Sequence, residues 1–394
     1  MINKQFTHNT LLQSGFRLFF LGALVYAIVS ILVWTWQLYV HADIPLTAVS
    51  RAQWHAHEML FGYAVAVIVG FLTTAVKNWT GRTTVEGRPL LLLFVLWLSA
   101  RVLAVWPTDS WLLIILVIDC LFYAMLIAFL IRPIVLSKNQ AQWGIIAKLV
   151  LLWLLDVLFL MSALGWLEAG YASPVLLISV YTIIGLILVM AQRVLPFFIR
   201  NAISNRSNVK DYPYVPIVSL LSFLLLVIAD VAGWPLLLLI SGLAVAAVNL
   251  VRLYGWHDRE IWHKPLLWVL YVGLYFIIAG ILLRSSAHYM GTFPHLGLHA
   301  MTVGGIGLIT VGMMARVALG HTGRDVFDPP YGLSVIFLLL IASAVLRAFV
   351  PLAMIEYYFV LILVSQILWI SAFVLMLVIY FGPLTSKRVD GVYG

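Results

Sequence analysis

Residues 54–76 read WHAHEMLFGYAVAVIVGFLTTAV, and this stretch decides the class of the fold. Its last 18 residues, 59–76, contain no charged side chain. An uncharged apolar run of this length predicts a helix that crosses a lipid bilayer, because about 20 helical residues span the hydrocarbon core. Two histidines and a glutamate stand at the start of the run, where charge is costly to bury in lipid.

Runs of the same kind recur along the chain, and 64% of the 394 residues are hydrophobic while only 10% are charged. The runs lack the two-residue alternation of a membrane β-barrel. We therefore predict an all-α, multi-pass membrane protein with one transmembrane domain over residues 1–394. Its predicted helices, about twelve, cover residues 16–38, 55–76, 89–106, 111–131, 143–165, 174–195, 214–233, 235–254, 265–285, 294–318, 332–350 and 356–381.

The distribution of positive charge predicts the orientation of these helices. Of 23 lysines and arginines, all but four fall in loops on one side, so the positive-inside rule places both termini in the cytoplasm. The four exceptions are Arg51, Arg101, Arg284 and Arg347. Because topology explains the net charge of +8, we expect the lipid bilayer to be the partner of the basic loops, and no nucleic acid.

An internal repeat relates the second and the tenth predicted helices. At an offset of 242 residues, His57 aligns with His299, Gly62 with Gly304, and residues 80–82 with residues 322–324. Eight helices separate the two copies, which suggests three units of four helices in a pseudo-threefold arrangement. The units would be 16–131, 143–254 and 265–381, the middle one by helix counting alone.

The paired histidines predict a cofactor site. We expect Ser50, with Gln53, to begin one helix and Thr292, with Pro294, to begin the other. His57 and His299 would then lie at equal depth, about 10 Å below the starts of their helices. Two histidines so placed suit a haem with two axial histidines or a metal in a helix bundle. The alternative is that they are interfacial histidines that cap helices or bond to loops.

Other residues near the pair extend the prediction. His295 shares a helix face with His299, whereas His55 and His57 point in different directions, and Glu58 is expected to hold the His55 ring. The single cysteine, Cys120, excludes thiolate clusters and a covalently attached haem, so we expect a haem of the b type and histidine as the metal ligand. The candidate metal ligands are His55, His57, His295, His299 and His321.

Three of the outer arginines, Arg101, Arg284 and Arg347, lie near the level of the histidines. We expect them to pair with haem propionates or another anion. The alternative is that they extend to the outer lipid head groups.

Further polar and small residues lie inside the predicted spans. Gly62, Gly70 and Gly304 favour close helix packing over a flat cofactor against the backbone. Asp119, Asp156 and Asp230 are functional candidates because of their intramembrane position, but no partner can be identified from the sequence. The Thr-Gly-Arg loops favour turns and membrane anchoring, and the alternative is a second polar site with His321 as a ligand or proton group.

The chain resembles the NnrS family through WHAHEMLFG at 54–62, NWTGR at 78–82, Arg-Asn-Ala at 200–202, LHAMTVG at 298–304 and GHTGR at 320–324. The resemblance implies a bacterial inner-membrane protein that contains haem and copper and is linked to nitric oxide metabolism and resistance to nitrosative stress. The motif histidines it carries over are His55, His57, His299 and His321, whereas His295 falls outside the matched strings.

The chain is also similar, more broadly, to the catalytic subunit of haem-copper oxidases. That likeness implies twelve helices, a pseudo-threefold arrangement and haem ligands on the second and tenth helices, where His57 and His299 stand. The sixth and seventh predicted helices contain no histidine, so the copper site of the oxidases cannot form in its usual place.

The leading functional prediction is a haem-binding protein that handles nitric oxide, with His57 and His299 as axial ligands. If the protein is an enzyme, it would be a haem-dependent oxidoreductase that receives electrons from a donor. Its substrate would be nitric oxide or a related small nitrogen species. No residue is predicted to be catalytic. The alternatives are a secondary transporter and a sensor that binds metal without turnover. Transporters favour inverted repeats or two halves of six helices, which an eight-helix offset does not fit.

Overall fold

A computed structural model describes residues 9–40 and 46–393 of the protein. Within these ranges the chain is helical and contains no strand, which confirms the prediction of an all-α membrane protein. The helices are α1 Gly15–Tyr39, α2 Arg51–Thr80, α3 Arg88–Val105, α4 Asp109–Leu136, α5 Trp143–Ala163, α6 Ala172–Arg200, α7 Val215–Val231, α8 Pro235–Trp256, α9 Pro265–Met290, α10 Pro294–His321, α11 Leu333–Leu352 and α12 Tyr358–Thr385.

In the described ranges, eleven helices are long and apolar enough to cross a membrane. The remaining one, α7, has 17 residues. At 1.5 Å per residue it is about 26 Å long, short of the roughly 30 Å of a bilayer core. The predicted twelve helices are therefore present, but one falls below the length of an ordinary span.

The starts of the two repeat helices follow from their first residues. Ser50 and Gln53 form a reciprocal capping box at the start of α2, in which each side chain accepts a hydrogen bond from the other residue's backbone N–H, as predicted. Helix α10 begins at Pro294, as its predicted range has it, but its N-cap is Phe293 and not the predicted Thr292. Pro294 then occupies the first turn, where its fixed φ fits the helix.

Both repeat helices change to π-helical geometry at the same place. The π segments are Glu58–Ala64 in α2 and Ala300–Ile306 in α10, 242 residues apart. They begin directly after His57 and His299. π segments are rare and often mark functional sites. The repeat found in the sequence is thus confirmed in the backbone, whereas the three four-helix units stay a prediction.

The described residues divide into two compact units. The first contains the chain up to Thr182 together with Met314–Asp325 and the chain from Phe373 onward. In it α1 packs on α2, α3 on α4, and α4 on α5. The second contains Ile183–Met313 and Val326–Ala372. There α7 packs on α8, α8 on α9, and both α9 and α11 on the π segment of α10.

Glycines allow the helices of each unit to approach closely. In the first unit, Gly62 faces the ring of Tyr26, and a side chain at Gly70 would lie 2.7 Å from the Phe20 ring. In the second unit, Gly304 faces Phe276 in the same way. These contacts confirm the prediction that the glycines serve helix packing.

Candidate functional site

His57 lies at the centre of a buried site in the first unit. Its ring is fully buried and stacks between Trp54 and Phe159, with centroid distances of 5.2 and 4.5 Å. Its Nδ1 is 2.7 Å from Oε1 of Glu58, and its Nε2 is 2.8 Å from Oδ1 of Asp156. Both ring nitrogens are therefore engaged by carboxyl groups.

Arg101 on α3 joins two further groups to this site. Its Nη1 donates to both oxygens of Glu58 at 3.2 Å, and its Nη2 donates to Oδ2 of Asp119 at 2.5 Å. The hydroxyl of Tyr26, on α1, donates to Oε2 of Glu58.

Six residues, each at most 7% exposed, form what we call the buried ionic network: Tyr26, His57, Glu58, Arg101, Asp119 and Asp156. Five consecutive helices, α1 to α5, supply these residues. Gly62, without a side chain, leaves room for Tyr26 and the Arg101 stem beside α2. Ionised groups buried in a spanning region are stable only when they are paired and hydrogen-bonded, which the network provides for Glu58 and Asp119.

These contacts change several sequence predictions. The prediction that Glu58 holds the His55 ring is wrong in this arrangement, because the hydrogen bond of Glu58 goes to the adjacent His57. His55 stacks on Trp34, with ring centroids 4.6 Å apart, and lines a cavity with Tyr26 and Glu58. Arg101 pairs with two carboxylates of the protein itself, where an external anion was expected.

His299 has a different environment in the second unit. Its ring is partly buried. Its Nδ1 is 2.7 Å from the backbone oxygen of His295, and its Nε2 is 3.0 Å from Nη2 of Arg347. Since a guanidinium can only donate, Nε2 must accept, and the ring proton is on Nδ1. The lone pair of Nε2 therefore points away from the anchoring carbonyl.

Tyr358 joins a second histidine to the same arginine. Its hydroxyl accepts a hydrogen bond from Nη1 of Arg347 at 3.0 Å, so its own proton is donated to Nε2 of His295 at 3.1 Å. We call His295, His299, Arg347 and Tyr358 the histidine cluster. The structure thus brings His295 and Arg347 to His299, as their sequence positions predict, whereas no sequence signal indicated Tyr358.

Arg284 forms an ion pair close to the start of α10. Its Nη2 donates to Oδ1 of Asp230 at 3.0 Å, and its Nε donates to the other oxygen. Its Nη1 donates to the backbone oxygen of Pro294 at 3.3 Å. The intramembrane Asp230, to which the sequence assigned no partner, therefore balances Arg284.

His321 ends α10 within the first unit and lies among cations. Its ring packs near Phe16 at 5.8 Å, and the charges that act on it are those of Arg17, Lys77 and Arg388. This surrounding opposes the approach of a metal cation, and a ligand role for His321 stays a prediction.

The Thr-Gly-Arg loops that follow α2 and α10 are left-handed helix caps. Gly81 has φ of 65° and Gly323 has φ of 75°, conformations that favour glycine. The amide of Gly81 donates to the carbonyl oxygen of Lys77, which closes the end of α2. The prediction that these motifs form turns is confirmed.

His57 and His299 differ in how well their surroundings suit binding to a haem iron or another metal. Among the described residues, no group of three or more His, Cys, Asp and Glu side chains is placed to hold a metal ion. His57 does not fit iron ligation in this arrangement, since carboxyl groups occupy both nitrogens. His299 fits better, because metal-bound histidines commonly donate their other N–H to a carbonyl. The pairing of His57 with His299 on one iron stays a prediction, and it would require His57 to leave a carboxyl group.

A family model described as NnrS protein matches residues 10–388, nearly the whole chain. The chain belongs to the NnrS family. Membership suggests a function related to nitric oxide, and the NnrS family is associated with haem and copper. No curated protein matches the chain. The broader likeness to haem-copper oxidases stays a prediction.

The strings that resemble the NnrS family have distinct places in the structure. The string at 54–62 provides the buried ionic network with His57 and Glu58. The string at 298–304 provides the histidine cluster with His299. The two strings that end in Thr-Gly-Arg cap their helices. The sequence flagged Asp119 and Asp156 only as costly residues within spans, and it gave no sign of Tyr26.

Proposed function

We propose that this protein binds haem in the bacterial inner membrane, with both termini in the cytoplasm, and takes part in nitric oxide metabolism or resistance to nitrosative stress. Family membership supports the link to nitric oxide and to haem. Among the residues, the observation that carries the proposal is the geometry of His299, which has an anchored Nδ1–H and an accepting Nε2.

The histidine cluster suits one axial ligand of a haem iron. The carbonyl of His295 fixes the tautomer of His299 with its lone pair on Nε2, and a metal bound there would take the place of the hydrogen bond from Arg347. Arg347, which faces that lone pair, is a guanidinium suited to an anionic group such as a propionate. When bound, haem would supply a metal centre for electron transfer or for binding of a gas such as nitric oxide.

We assign no contact with haem or copper to the other candidate residues. A single histidine ligand is the arrangement that leaves a coordination position for a gas, whereas two histidines suit electron transfer. Copper has no comparable donor set among the described residues, so we assign no residue to copper. Arg101 and Arg284 are committed to carboxylates of the protein, and we propose no propionate contact for either.

Optical spectra and elemental analysis of the purified membrane protein test this proposal. The wild type is expected to show a haem b spectrum. That spectrum should be lost or strongly shifted in His299→Ala and unchanged in the control His288→Ala, which removes an exposed histidine of α9. The absence of haem, or an unchanged spectrum in His299→Ala, would contradict the proposal. Loss of the same spectrum in His57→Ala would restore the prediction of two axial histidines.

Anaerobic measurements of nitric oxide separate turnover from binding. With an electron donor supplied, consumption above that of buffer would support an oxidoreductase. Binding of nitric oxide without consumption would support a sensor or a protective protein. A haem protein that neither binds nor consumes nitric oxide would contradict the proposed link.

A further inference from the structure

Arg252 is a buried cation of the second unit that lacks a counter-ion. It lies within α8, four residues before the helix ends at Trp256, and only 5% of its surface is exposed. In the described ranges it forms no ion pair with a carboxylate. A guanidinium stays protonated in proteins, so its charge persists at this position. An ionised group inside a spanning helix is by default a candidate for a functional site.

The hydrogen bonds of Arg252 leave most of its donors unused. Its Nη1 donates to Oδ1 of Asn249 at 2.8 Å, which is the single hydrogen bond of the guanidinium within the described part of the chain. Its Nε is buried and has no partner among the described residues. Because a guanidinium has several N–H donors and no acceptor, the site can bind an acceptor from outside the protein.

Asn249 holds the guanidinium in place. Its Nδ2 donates to the backbone oxygen of Val245 at 2.8 Å and to Oγ of Ser219 at 3.4 Å. These two contacts turn the amide so that Oδ1 faces Arg252. Asn249 is only 3% exposed, so the interior of the protein fixes this orientation. The position of the Arg252 donors is therefore set before any ligand binds.

None of the described groups that contact Arg252 supplies a full negative charge. The guanidinium carbon lies 5.8 Å from the ring centroid of Trp256, a cation–π contact that adds no net charge. The indole N–H of Trp256 donates to Asp211, but that carboxylate is already paired with Arg200 at 2.6 Å. The C-terminal end of α8 contributes only about half an elementary charge. The charge of Arg252 is therefore incompletely balanced by the protein.

A cavity lies beside this arginine. Arg252 and Asn249 line it together with apolar side chains of α6, α8 and α9, all from the second unit. Its volume is about 10 Å³, close to the smallest that holds one water molecule or an ion of that size. Apolar walls with one or two convergent polar groups are typical of binding sites for small ligands.

We propose that this cavity binds one small monovalent anion, of the size of chloride or bromide, which balances Arg252. The anion accepts hydrogen bonds from the guanidinium, and apolar side chains enclose its other side. A guanidinium is weakly hydrated, and so is a halide, so their pairing sacrifices less hydration than a pair with an ammonium would.

The same features exclude larger and more strongly hydrated anions. Phosphate and sulfate exceed the volume of the cavity, and they would lose contacts with water that one guanidinium cannot replace. A lipid head group is excluded because the protein itself shields Arg252. The inference concerns no histidine and does not depend on haem.

Thermal unfolding of the purified full-length protein tests whether such an anion binds. As sodium chloride replaces sodium gluconate at constant ionic strength, the Tm of the wild type should rise by about 1–4 °C and then level off, because a ligand of the folded state stabilises it. Arg252→Met should abolish the rise. The control Arg259→Met, which removes an exposed arginine just after α8, should keep it. A wild type without the rise, or an Arg252→Met variant that retains it, would overturn the proposal.

Other anions test the predicted size limit. Phosphate stabilises proteins in general, so the quantity compared is the part of the rise in Tm that Arg252→Met loses. That part should appear with bromide and be absent with phosphate. An equal Arg252-dependent rise with phosphate would overturn the assignment to a halide-sized anion.

Crystals of the wild type grown in bromide locate the anion directly and cover the case in which Arg252→Met does not fold. An anomalous-scattering peak is expected within hydrogen-bond distance of the Arg252 guanidinium. The proposal would be overturned by the absence of bromide at this position, or by a water molecule, a phosphate or a lipid head group in its place.

Discussion

Helices α2 and α10 share a backbone plan but give their histidines opposite surroundings. In both helices a π segment begins directly after the aligned histidine. His57 is fully buried between two carboxyl groups, whereas His299 is partly buried and faces an arginine. The next residue differs as well, since Glu58 in α2 aligns with Ala300 in α10.

The two copies of the repeat therefore share backbone geometry but not the chemical surroundings of the histidine. Glu58 accepts hydrogen bonds from Arg101 and Tyr26, and the buried ionic network forms around it. Without a carboxylate at the aligned position, His299 keeps one accepting nitrogen toward Arg347. One histidine is thereby held between two carboxyl groups, and the other accepts a hydrogen bond from a guanidinium.

The largest expected difference between the two sites is in the cost of losing an arginine. Arg101→Ala would leave Glu58 and Asp119 buried without their cation, at a cost of about 3–5 kcal/mol in the free energy of unfolding. Arg347→Ala, in a partly exposed site, should cost about 1 kcal/mol or less. Denaturant unfolding of both variants in one detergent provides the measurement.

Equal losses of stability in these two variants would contradict this prediction, because the burial of charge would then not distinguish the two sites. Arg82→Ala is a suitable control, since Arg82 is an exposed loop residue and its removal should change stability little.

A smaller difference is expected for the tyrosines. Tyr26→Phe removes a buried hydrogen bond to an ionised carboxylate, at a cost of about 1.5–3 kcal/mol. Tyr358→Phe removes a bond to a neutral, partly exposed imidazole, at a cost of about 0.5–1.5 kcal/mol. The same unfolding measurement applies, and a larger loss for Tyr358→Phe would reverse the ranking of the sites.

The smallest expected difference between the two repeats concerns the ends of the helices, where the repeats are most alike. Gly81→Ala and Gly323→Ala each force an L-residue into a left-handed conformation, at a cost of about 1–2 kcal/mol. Gly323→Ala should cost more, because its new methyl group would lie 2.7 Å from the carboxyl carbon of Asp390, whereas that of Gly81→Ala meets open space. Thermal unfolding would rank the pair, and a neutral effect for both would contradict the shared cap.

The predictions from sequence were most accurate where a local pattern carries the information. The Ser50 capping box, the helical runs and the glycine turns at positions 81 and 323 all depend on residues close together in the chain. The predictions were weaker for α7, whose 17 residues fall short of a full span. The π segments were not predicted, because their residue pattern resembles that of an ordinary apolar helix.

Site contacts were predicted in part. The clustering of His295 and Arg347 near His299 followed from helix spacing and from depth in the membrane. The partners of Asp119 and Asp156 could not be identified, since they lie 18 and 99 residues away along the chain. The contact of Tyr26 with Glu58 spans 32 residues and carries no sequence signal.

The all-helical membrane class, the NnrS family and the internal repeat can be recognised without a structure, because apolar run length, turn residues and motif strings are properties of the chain. The contacts of each histidine follow from the packing of the helices. A carboxyl group from α5 and a guanidinium from α3 reach α2 through packing, and such contacts depend on which helix faces meet. The chemical difference between His57 and His299 therefore arises from neighbours that are distant in the chain.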